Sequence, residues 1–495
     1  MTIEAWSPTA KDWLRRSLLQ RQTMAALAGL AGLAWALARL PWVPLLAALG
    51  GVALLILLLR WPWLIWLMIG AGLPLSSGLK QGPVSVTDLL LAAAIVLWFV
   101  DGARRGSLHL APSPWLGWLA LYIGALYLSM LQAADLGEAA VEVIKWTQLA
   151  LVVVLVQSMM PPAHRQWLVA ALLVAGMGQA LLGLYQFVYR IGPDWFIVLG
   201  RFMRASGSFA QPNPFGGYLG ITLPVAVSLA LWAWREWLRR PWVGPGALLW
   251  AGFYTVAALL MGAGLVASWS RGAWVGATVA ILVVLFVRNR RAAVLGLALL
   301  LFAIGATLVG AFSPRLLPGA LTERVRDLPT FLGVTDVLSQ PVTDENFAVV
   351  ERVAHWVAAL RMWEMAPWLG VGPGNYSVVY PQVRLPLWEE PLGHAHNIYL
   401  HVLGENGLIG LATFLALWVA AFVWALARWR SAAQHGHTWN AALALGVVGV
   451  LTHLTVHNLF DNLFVQGMHL QIALWLAILH LPRCQSAPIC STEEG

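Results

Sequence analysis

Charged residues are scarce in this sequence. Asp, Glu, Lys and Arg together make up 11% of the 495 residues, whereas hydrophobic residues make up 60%. In soluble globular proteins about a quarter of the chain is charged. The shortage excludes an ordinary soluble fold and indicates that lipid surrounds most of the chain.

Cysteine is also nearly absent. The two cysteines, Cys484 and Cys490, lie in a polar C-terminal segment, and their spacing fits neither a disulfide framework nor a metal site. Acidic residues are outnumbered, which gives a net charge of +8. The Lys and Arg residues stand in short clusters between apolar runs rather than along one face. They therefore predict membrane topology and no nucleic-acid partner.

Long apolar runs are what the sequence has in abundance. A helix needs about 20 apolar residues to cross the roughly 30 Å hydrocarbon core, where its backbone satisfies its own hydrogen bonds. The runs predict an all-α polytopic membrane protein with about 12–14 transmembrane helices. They lie near residues 24–40, 43–59, 61–77, 87–101, 113–132, 140–158, 166–187, 215–233, 246–268, 272–287, 292–312, 400–428, 438–456 and 462–481.

Basic clusters between the runs predict which loops face the cytoplasm, because short cytoplasmic loops are rich in Lys and Arg. With a cytoplasmic N-terminus and an uncleaved signal anchor, the clusters from Arg60 to Arg483 fall on alternate exits. The prediction is a bacterial inner-membrane protein with both termini in the cytoplasm. Its segments are a cytoplasmic start (1–23), about 11 transmembrane helices (24–312), a large periplasmic loop (313–397), about three further transmembrane helices (398–482) and a cytoplasmic tail (483–495).

Within the large loop, residues 344–368 show the periodicity of a short amphipathic helix. Asp344 is the expected N-cap and Pro367 the expected stop, and a turn-rich stretch follows from Gly370 to Tyr376. The apolar face comprises Phe347, Val350, Val353, Val357 and Leu360, and the polar faces hold Glu351, Arg352, His355 and Arg361.

Three histidines lie close together where the chain re-enters the membrane: His394, His396 and His401. A neutral imidazole suits a general base on a hydroxyl, or a substrate contact, because its ordinary pKa is about 6.5. A structural interpretation is that the histidines cap helices or pair with Glu405 and Asn406. A metal site is the third interpretation, although only His401 and Glu405 have the spacing of one helical face.

Arginines interrupt the apolar pattern at two places on the predicted outer side. The stretch from Arg201 to Pro214 combines Arg, Gly, Ser and Asn, which suits either an anion such as phosphate or lipid headgroups. Arg271 stands between two apolar runs, where an unpaired charge is costly. It therefore has a partner or a water-filled surrounding, unless its side chain extends to the interface.

Other polar residues have local interpretations. Glu142 and Lys145, three positions apart, predict an ion pair. Asp88 predicts the start of a helix. A short outer turn that is expected to cap the last helix contains His457, Asn458, Asp461 and Asn462.

Four stretches of the sequence resemble the O-antigen ligase superfamily, which includes lipopolysaccharide O-antigen ligases, O-antigen polymerases and protein O-oligosaccharyltransferases. They are RASGSFAQPNPFGGYL, SRGAW, ERVAHWVAALRMWEMAPWLGVGPGNY and HAHNIYLHVLGENGLIGL, between about Arg204 and Leu411. The resemblance implies a GT-C-like helical fold. It also implies an inverting, metal-independent glycosyltransferase without a cofactor.

The resemblance also implies substrates and roles. The donor is a glycan on undecaprenyl pyrophosphate, and the acceptor is a lipid-linked or other hydroxyl at the periplasmic face of the membrane. Arg204 and Arg271 match arginines that engage the pyrophosphate, and His396 matches the essential histidine. Further candidate substrate contacts are Arg352, His394, Asn397 and Tyr399.

Three alternatives stay open at the level of sequence. The same motifs fit a ligase, which moves a finished polymer, and a polymerase, which joins repeat units. Sequences of this kind have also been labelled bicarbonate transporters, so an anion transporter is the alternative of another class. A structural subunit of an envelope assembly is the last.

Overall fold

A computed structural model describes residues 42–75, 85–239 except 109, 112 and 199, 245–289, 342–343 and 346–479, with isolated positions at 21, 23, 24, 291, 294, 296–298 and 301. The chain divides into two units, residues 1–64 and 65–495. The helices are α1 (Trp42–Arg60), α2 (Leu64–Gly72), α3 (Val86–Arg105), α4 (Leu116–Ser129), α5 (Leu136–Met159), α6 (Arg165–Tyr189), α7 (Pro212–Gly220), α8 (Leu223–Arg239), α9 (Pro245–Ala267), α10 (Arg271–Arg288), α11 (Phe347–Met365), α12 (Tyr376–Val383), α13 (Ile398–Gln434), α14 (Thr438–His457) and α15 (Met468–Ile478). A two-stranded antiparallel hairpin, β1 (Ile197–Val198) and β2 (Phe202–Met203), lies between α6 and α7.

The structure confirms an all-α polytopic membrane protein. Eight helical segments are long and apolar enough to cross a membrane, and four shorter apolar helices accompany them among the described residues. The predicted runs at 24–40 and 292–312 lie largely outside the described residues, as does the first part of the large loop, residues 313–341.

Helix α14 lies at the centre of the second unit, where it packs against α8, α10 and α13. Glycines allow this close approach: a Cβ on Gly446 would meet the backbone of Val225 at 2.7 Å, and one on Gly449 would meet Pro224 at 2.6 Å. Small residues let membrane helices approach one another because apolar burial alone does not drive their association in lipid. Helix α5 packs against α15, and α13 also packs against α4 and α11.

The predicted helix in the large loop is confirmed, with shorter bounds. Helix α11 begins at Phe347 and ends at Met365. The predicted cap Asp344 lies outside the described residues, and Pro367 follows the helix end as expected. The predicted apolar face is partly wrong: Val350 is buried as expected, but Phe347 and Leu360 are exposed. The buried face instead consists of Val349, Val350, Ala354, His355, Ala358, Ala359 and Met362.

Helix α13 is two helices that meet at Gly407. The Gly407 backbone has φ 63° and ψ −164°, a region essentially reserved for glycine. Residues 367–372, here called the strap, lie against this break. The amides of Leu408 and Ile409 donate to carbonyls of the strap, and the carbonyls of Gly404 and Glu405 accept from its amides, at 2.8–3.2 Å. The strap therefore satisfies the backbone groups that the break leaves unpaired.

Candidate functional site

The predicted catalytic histidine lies at the turn that opens α13. Asn397 is the N-cap: its Oδ1 accepts from the amides of Tyr399 and Leu400 at 3.0 and 3.1 Å. His396, directly before the cap, has φ 51°. A left-handed backbone is costly for a residue with a Cβ and is often found at functional sites.

The loop between α14 and α15, residues 458–467, packs onto this turn. The amide of Ile398 donates to the carbonyl of Asn458 at 2.9 Å, and Nδ2 of Asn397 donates to the carbonyl of Leu459 at 3.1 Å. The side chain of Asn397, a predicted substrate contact, thus caps α13 and also binds the α14–α15 loop. These bonds hold the loop against the turn that carries the histidines.

Asp461 in the α14–α15 loop faces two of the histidines. Its Oδ1 is 3.7 Å from Nε2 of His394 and 3.7 Å from Nδ1 of His396. Both distances exceed a hydrogen bond but allow strong electrostatic interaction in a buried site. Asp461 is 6% exposed, so the carboxylate and the two imidazoles form one buried cluster.

The protonation of this cluster follows from its burial. Burial and the neighbouring His396 lower the pKa of His394 to about 3, which keeps its imidazole neutral at pH 7. Burial also opposes ionisation of Asp461, but the close His396 together with His394 and His457 outweighs it. The pKa of Asp461 therefore stays below its usual range, and the cluster contains a carboxylate beside neutral His394.

A metal ion fits this cluster poorly, although its ligand-type atoms lie within 4.8 Å of one another. Nδ1 of His394 accepts the backbone N–H of His396 at 3.0 Å. The neutral ring then carries its proton on Nε2, the atom that faces Asp461. A protonated nitrogen has no lone pair for a metal, so the geometry favours a His–Asp cluster over a metal centre.

Arg352 connects α11 to the same loop. Its Nε donates to the carbonyl of Phe460 at 3.2 Å, and its Nη1 donates to the carbonyl of Ala348 at 2.6 Å. Arg352, a predicted substrate contact, therefore binds the α14–α15 loop at the residue directly before Asp461. The structure brings Arg352 and His396 to one place, as the sequence indicated.

The two predicted pyrophosphate-binding arginines also share one location. Nε of Arg204 donates to the carbonyl of Ser268 at 3.1 Å, and its Nη2 donates to Oδ1 of Asn213 at 2.7 Å. Ser268 lies in the step between α9 and α10, and Arg271 is the first residue of α10. The guanidinium of Arg204 is therefore anchored three residues before Arg271.

Helix α10 joins residues 268–271, here called the arginine step, to the cluster of His394, His396 and Asp461. A Cβ on Gly272 would meet Cδ2 of His457 at 2.8 Å and Cβ of Phe460 at 3.5 Å, so the start of α10 lies directly against the α14–α15 loop. Arg204, the start of α10, Arg352, Asp461 and His396 consequently lie at the same end of the helix bundle.

Three further predictions concern residues of α5 and α13. The ion pair between Glu142 and Lys145 is confirmed, with Nζ 2.6 Å from the carboxylate. His401 and Glu405 share a helical face as expected, at 3.5 Å. Tyr399, a predicted substrate contact, donates its hydroxyl to the carbonyl of Thr455 at 3.0 Å, which ties α13 to α14.

Two site residues escaped the sequence analysis. Asp461 was expected only to cap the last helix, because the polar residues around it do not show which other loop it contacts. His355 was expected on a polar helix face, but it is 1% exposed and its ring packs against His396 with centroids 5.6 Å apart. No local sequence pattern shows that contact, because the two residues lie on different elements.

Comparisons with known proteins agree with the sequence motifs. Residues 256–415 match the family model described as O-antigen ligase. A protein of Pseudomonas aeruginosa named "O-antigen ligase" is 27% identical over 242 residues, which cover 46% of this chain and 50% of that protein. The chain thus spans about half the length of this relative. The resemblance to the O-antigen ligase superfamily is confirmed.

Proposed function

We propose that this protein is a membrane glycosyltransferase that moves a glycan from an undecaprenyl-pyrophosphate donor to an acceptor hydroxyl at the periplasmic face of the inner membrane. The proposal rests on one observation: the His396–Asp461 pair lies at the same end of the helix bundle as Arg204 and the start of α10 at Arg271. The family match from residue 256 to 415 supports the same reaction class.

The chemistry assigned to the His–Asp pair is proton transfer. His396 takes the proton of the acceptor hydroxyl as the oxygen attacks the anomeric carbon of the glycan. The bond between that carbon and the pyrophosphate oxygen breaks, and undecaprenyl pyrophosphate leaves with the bonding electrons. Attack from the opposite face inverts the configuration at carbon. The carboxylate of Asp461 stabilises the imidazolium that forms, and no metal ion takes part.

The arginines act on the leaving group in this proposal. Guanidinium groups pair well with phosphate oxygens, and fixed positive charge stabilises the negative charge that develops on the departing pyrophosphate. The hydrogen bonds from Arg204 to Ser268 and Asn213 hold one such guanidinium in place before substrate arrives. Such preorganisation avoids a reorganisation cost during the reaction.

The transport alternative is disfavoured by the helix break. Transporter sites commonly use broken helices whose free backbone groups bind the substrate. At Gly407 those groups are bonded to the strap instead. Ligase and polymerase activities use the same chemistry and differ in the acceptor, so the acceptor that accumulates product distinguishes them.

The direct test is transfer by purified protein supplied with lipid-linked glycan and candidate acceptors, read as coupled product on a gel. His396→Ala should lower the rate by about 10²-fold or more, because general base catalysis typically contributes that much. The matched control is His435→Ala, since His435 lies in the exposed turn after α13. Full-rate transfer by His396→Ala at normal protein levels would overturn the assignment.

A further inference from the structure

The His396 ring is held by packing and not by hydrogen bonds. Its two nitrogens are buried and have no hydrogen-bond partner among the described residues. Two aromatic neighbours flank it: His394, with ring centroids 4.4 Å apart, and His355, with centroids 5.6 Å apart and the rings nearly perpendicular. A ring whose nitrogens must stay available for proton transfer needs such packing to fix its orientation.

His355 is itself fixed by two tyrosines. Tyr380 stacks on its ring with centroids 4.9 Å apart, and the hydroxyl of Tyr376 is 3.0 Å from Nδ1 of His355. That hydroxyl also donates its hydrogen to the backbone carbonyl of His355 at 3.1 Å. Since a hydroxyl has one hydrogen, Nδ1–H of His355 donates to the hydroxyl oxygen, which assigns the tautomer.

Tyr376 is held in turn by Glu405. The amides of Tyr376 and Gly374 each donate to one carboxylate oxygen of Glu405, both at 2.9 Å. Glu405 is 2% exposed and lies beside the helix break at Gly407. Backbone and side-chain contacts thus lead from the membrane helix through Tyr376 to His355.

His355 is uncharged at neutral pH, which suits a residue that packs against the His396 ring. Burial, with His396 nearby, lowers the pKa of His355 to about 4, so at neutral pH it adds no positive charge beside His396. His355 touches neither the arginine step nor the α14–α15 loop in any of the contacts described above.

We propose that Tyr376 and His355 are positioning residues, which hold the His396 imidazole in the orientation needed for glycan transfer. The proposal rests on the proposed function for the role of His396. It assigns neither residue a bond to substrate: Tyr376 orients His355 through its hydroxyl, and His355 orients His396 through its ring.

The kinetic test compares three variants in the transfer assay. Tyr376→Phe keeps the buried ring and removes both hydrogen bonds between the hydroxyl and His355, so kcat should fall about five- to ten-fold while KM for the donor stays unchanged. His355→Ala removes the ring that packs against His396. The kcat should fall on the order of 10²-fold, because His396 would then be misplaced. Tyr380→Phe is the matched control, because its hydroxyl donates to the carbonyl of Trp388 and not to His355.

A second readout does not depend on transfer activity. Diethylpyrocarbonate labels accessible imidazole nitrogens, and mass spectrometry of the full-length protein gives the labelling rate of His396 alone. The rate should rise several-fold in Tyr376→Phe and in His355→Ala and stay at the wild-type value in Tyr380→Phe.

The outcomes separate this proposal from the proposed function. Faster labelling in the two variants supports positioning even if the wild-type protein transfers no glycan, a result that would overturn only the function. Wild-type transfer together with equal kcat and equal labelling for Tyr376→Phe and Tyr380→Phe would overturn the positioning role and leave the function standing. A fall in kcat with a matching rise in donor KM would also contradict it.

Discussion

The backbone of His396 is strained, and neighbouring contacts hold the strain in place. A left-handed conformation at a non-glycine residue costs about 1–3 kcal/mol. The Asn397 cap and the bond from Ile398 to the α14–α15 loop fix the chain on the far side of His396. The strained residue therefore aims its ring between His394 and His355 and toward Asp461.

The proposed proton transfer depends on Asp461, the carboxylate that faces His396. Asp461→Asn removes the negative charge and keeps the side-chain size, and its oxygen still accepts the amide of Asn462, as Oδ1 does at 2.9 Å. We expect kcat to fall on the order of 10²-fold or more, because an Asp that stabilises an imidazolium contributes at least that much in comparable pairs. Initial rates of glycan transfer measure the effect.

The control for Asp461 is another acid of the same end of the molecule. Glu389 pairs with Arg384 at 3.2 Å and its side chain is 76% exposed. Exposed ion pairs contribute little, so Glu389→Gln should keep at least half of the wild-type rate. An Asp461→Asn protein as active as Glu389→Gln would remove Asp461 from the mechanism.

Single residues also show where the sequence is informative. Arg204, Arg271 and His396 stand in motifs that resemble the O-antigen ligase superfamily, and the structure brings the elements that carry them to one end of the bundle. Asp461 has no such motif. Its role depends on a junction between two loops some 60 residues apart in sequence, which local patterns do not encode.

At the scale of elements, the strap and the broken helix α13 form one structural unit. A Cβ on Gly407 would lie 2.4 Å from the carbonyl carbon and oxygen of Trp368. Ser129 strengthens the junction, since its hydroxyl is within hydrogen-bond distance of the carbonyls of Leu369 and Glu405, at 2.6 and 3.0 Å. The strap and the break in α13 thus connect the large loop to the membrane helices.

Gly407→Ala should therefore destabilise the protein strongly. The new side chain meets both an unfavourable φ and a backbone clash, and a loss of about 3 kcal/mol or more is expected. The melting temperature of the detergent-solubilised protein measures it. Gly124→Ala in α4 is the matched control, because a Cβ there meets nothing within 4 Å. Equal melting temperatures for the two variants would contradict the account of the break.

Helix patterns predict the elements more reliably than the contacts between them. Apolar runs of about 20 residues are a strong signal in a membrane protein, and the eight long spans match them. The predicted face of α11 was partly wrong because three alanines and His355, which have weak hydrophobic signals, share its buried side with Val349, Val350 and Met362. What buries that side includes Tyr376 and Tyr380, more than 20 residues further along the chain.

At the scale of the whole molecule, folding brings segments that are distant in sequence to the same end of the helix bundle. The loop that carries Arg204, the arginine step, α11, the start of α13 and the α14–α15 loop are five separate parts of the chain. Each junction is made by named contacts: Arg204 with Ser268, Gly272 with His457, Arg352 with Phe460 and Ile398 with Asn458. The proposed lipid-linked donor would need such an arrangement, since its pyrophosphate and its sugar must be held at once.

The measurement that tests this account most directly is an experimental structure of the full-length protein with a non-transferable undecaprenyl-pyrophosphate glycan. The pyrophosphate is expected to contact Arg204 and Arg271, and the anomeric carbon is expected to face His396, within reach of an acceptor hydroxyl bonded to that ring. Double replacement of Arg204 and Arg271 by Gln should abolish this density. Donor bound with its pyrophosphate away from both arginines, or with its sugar remote from His396, would contradict the account.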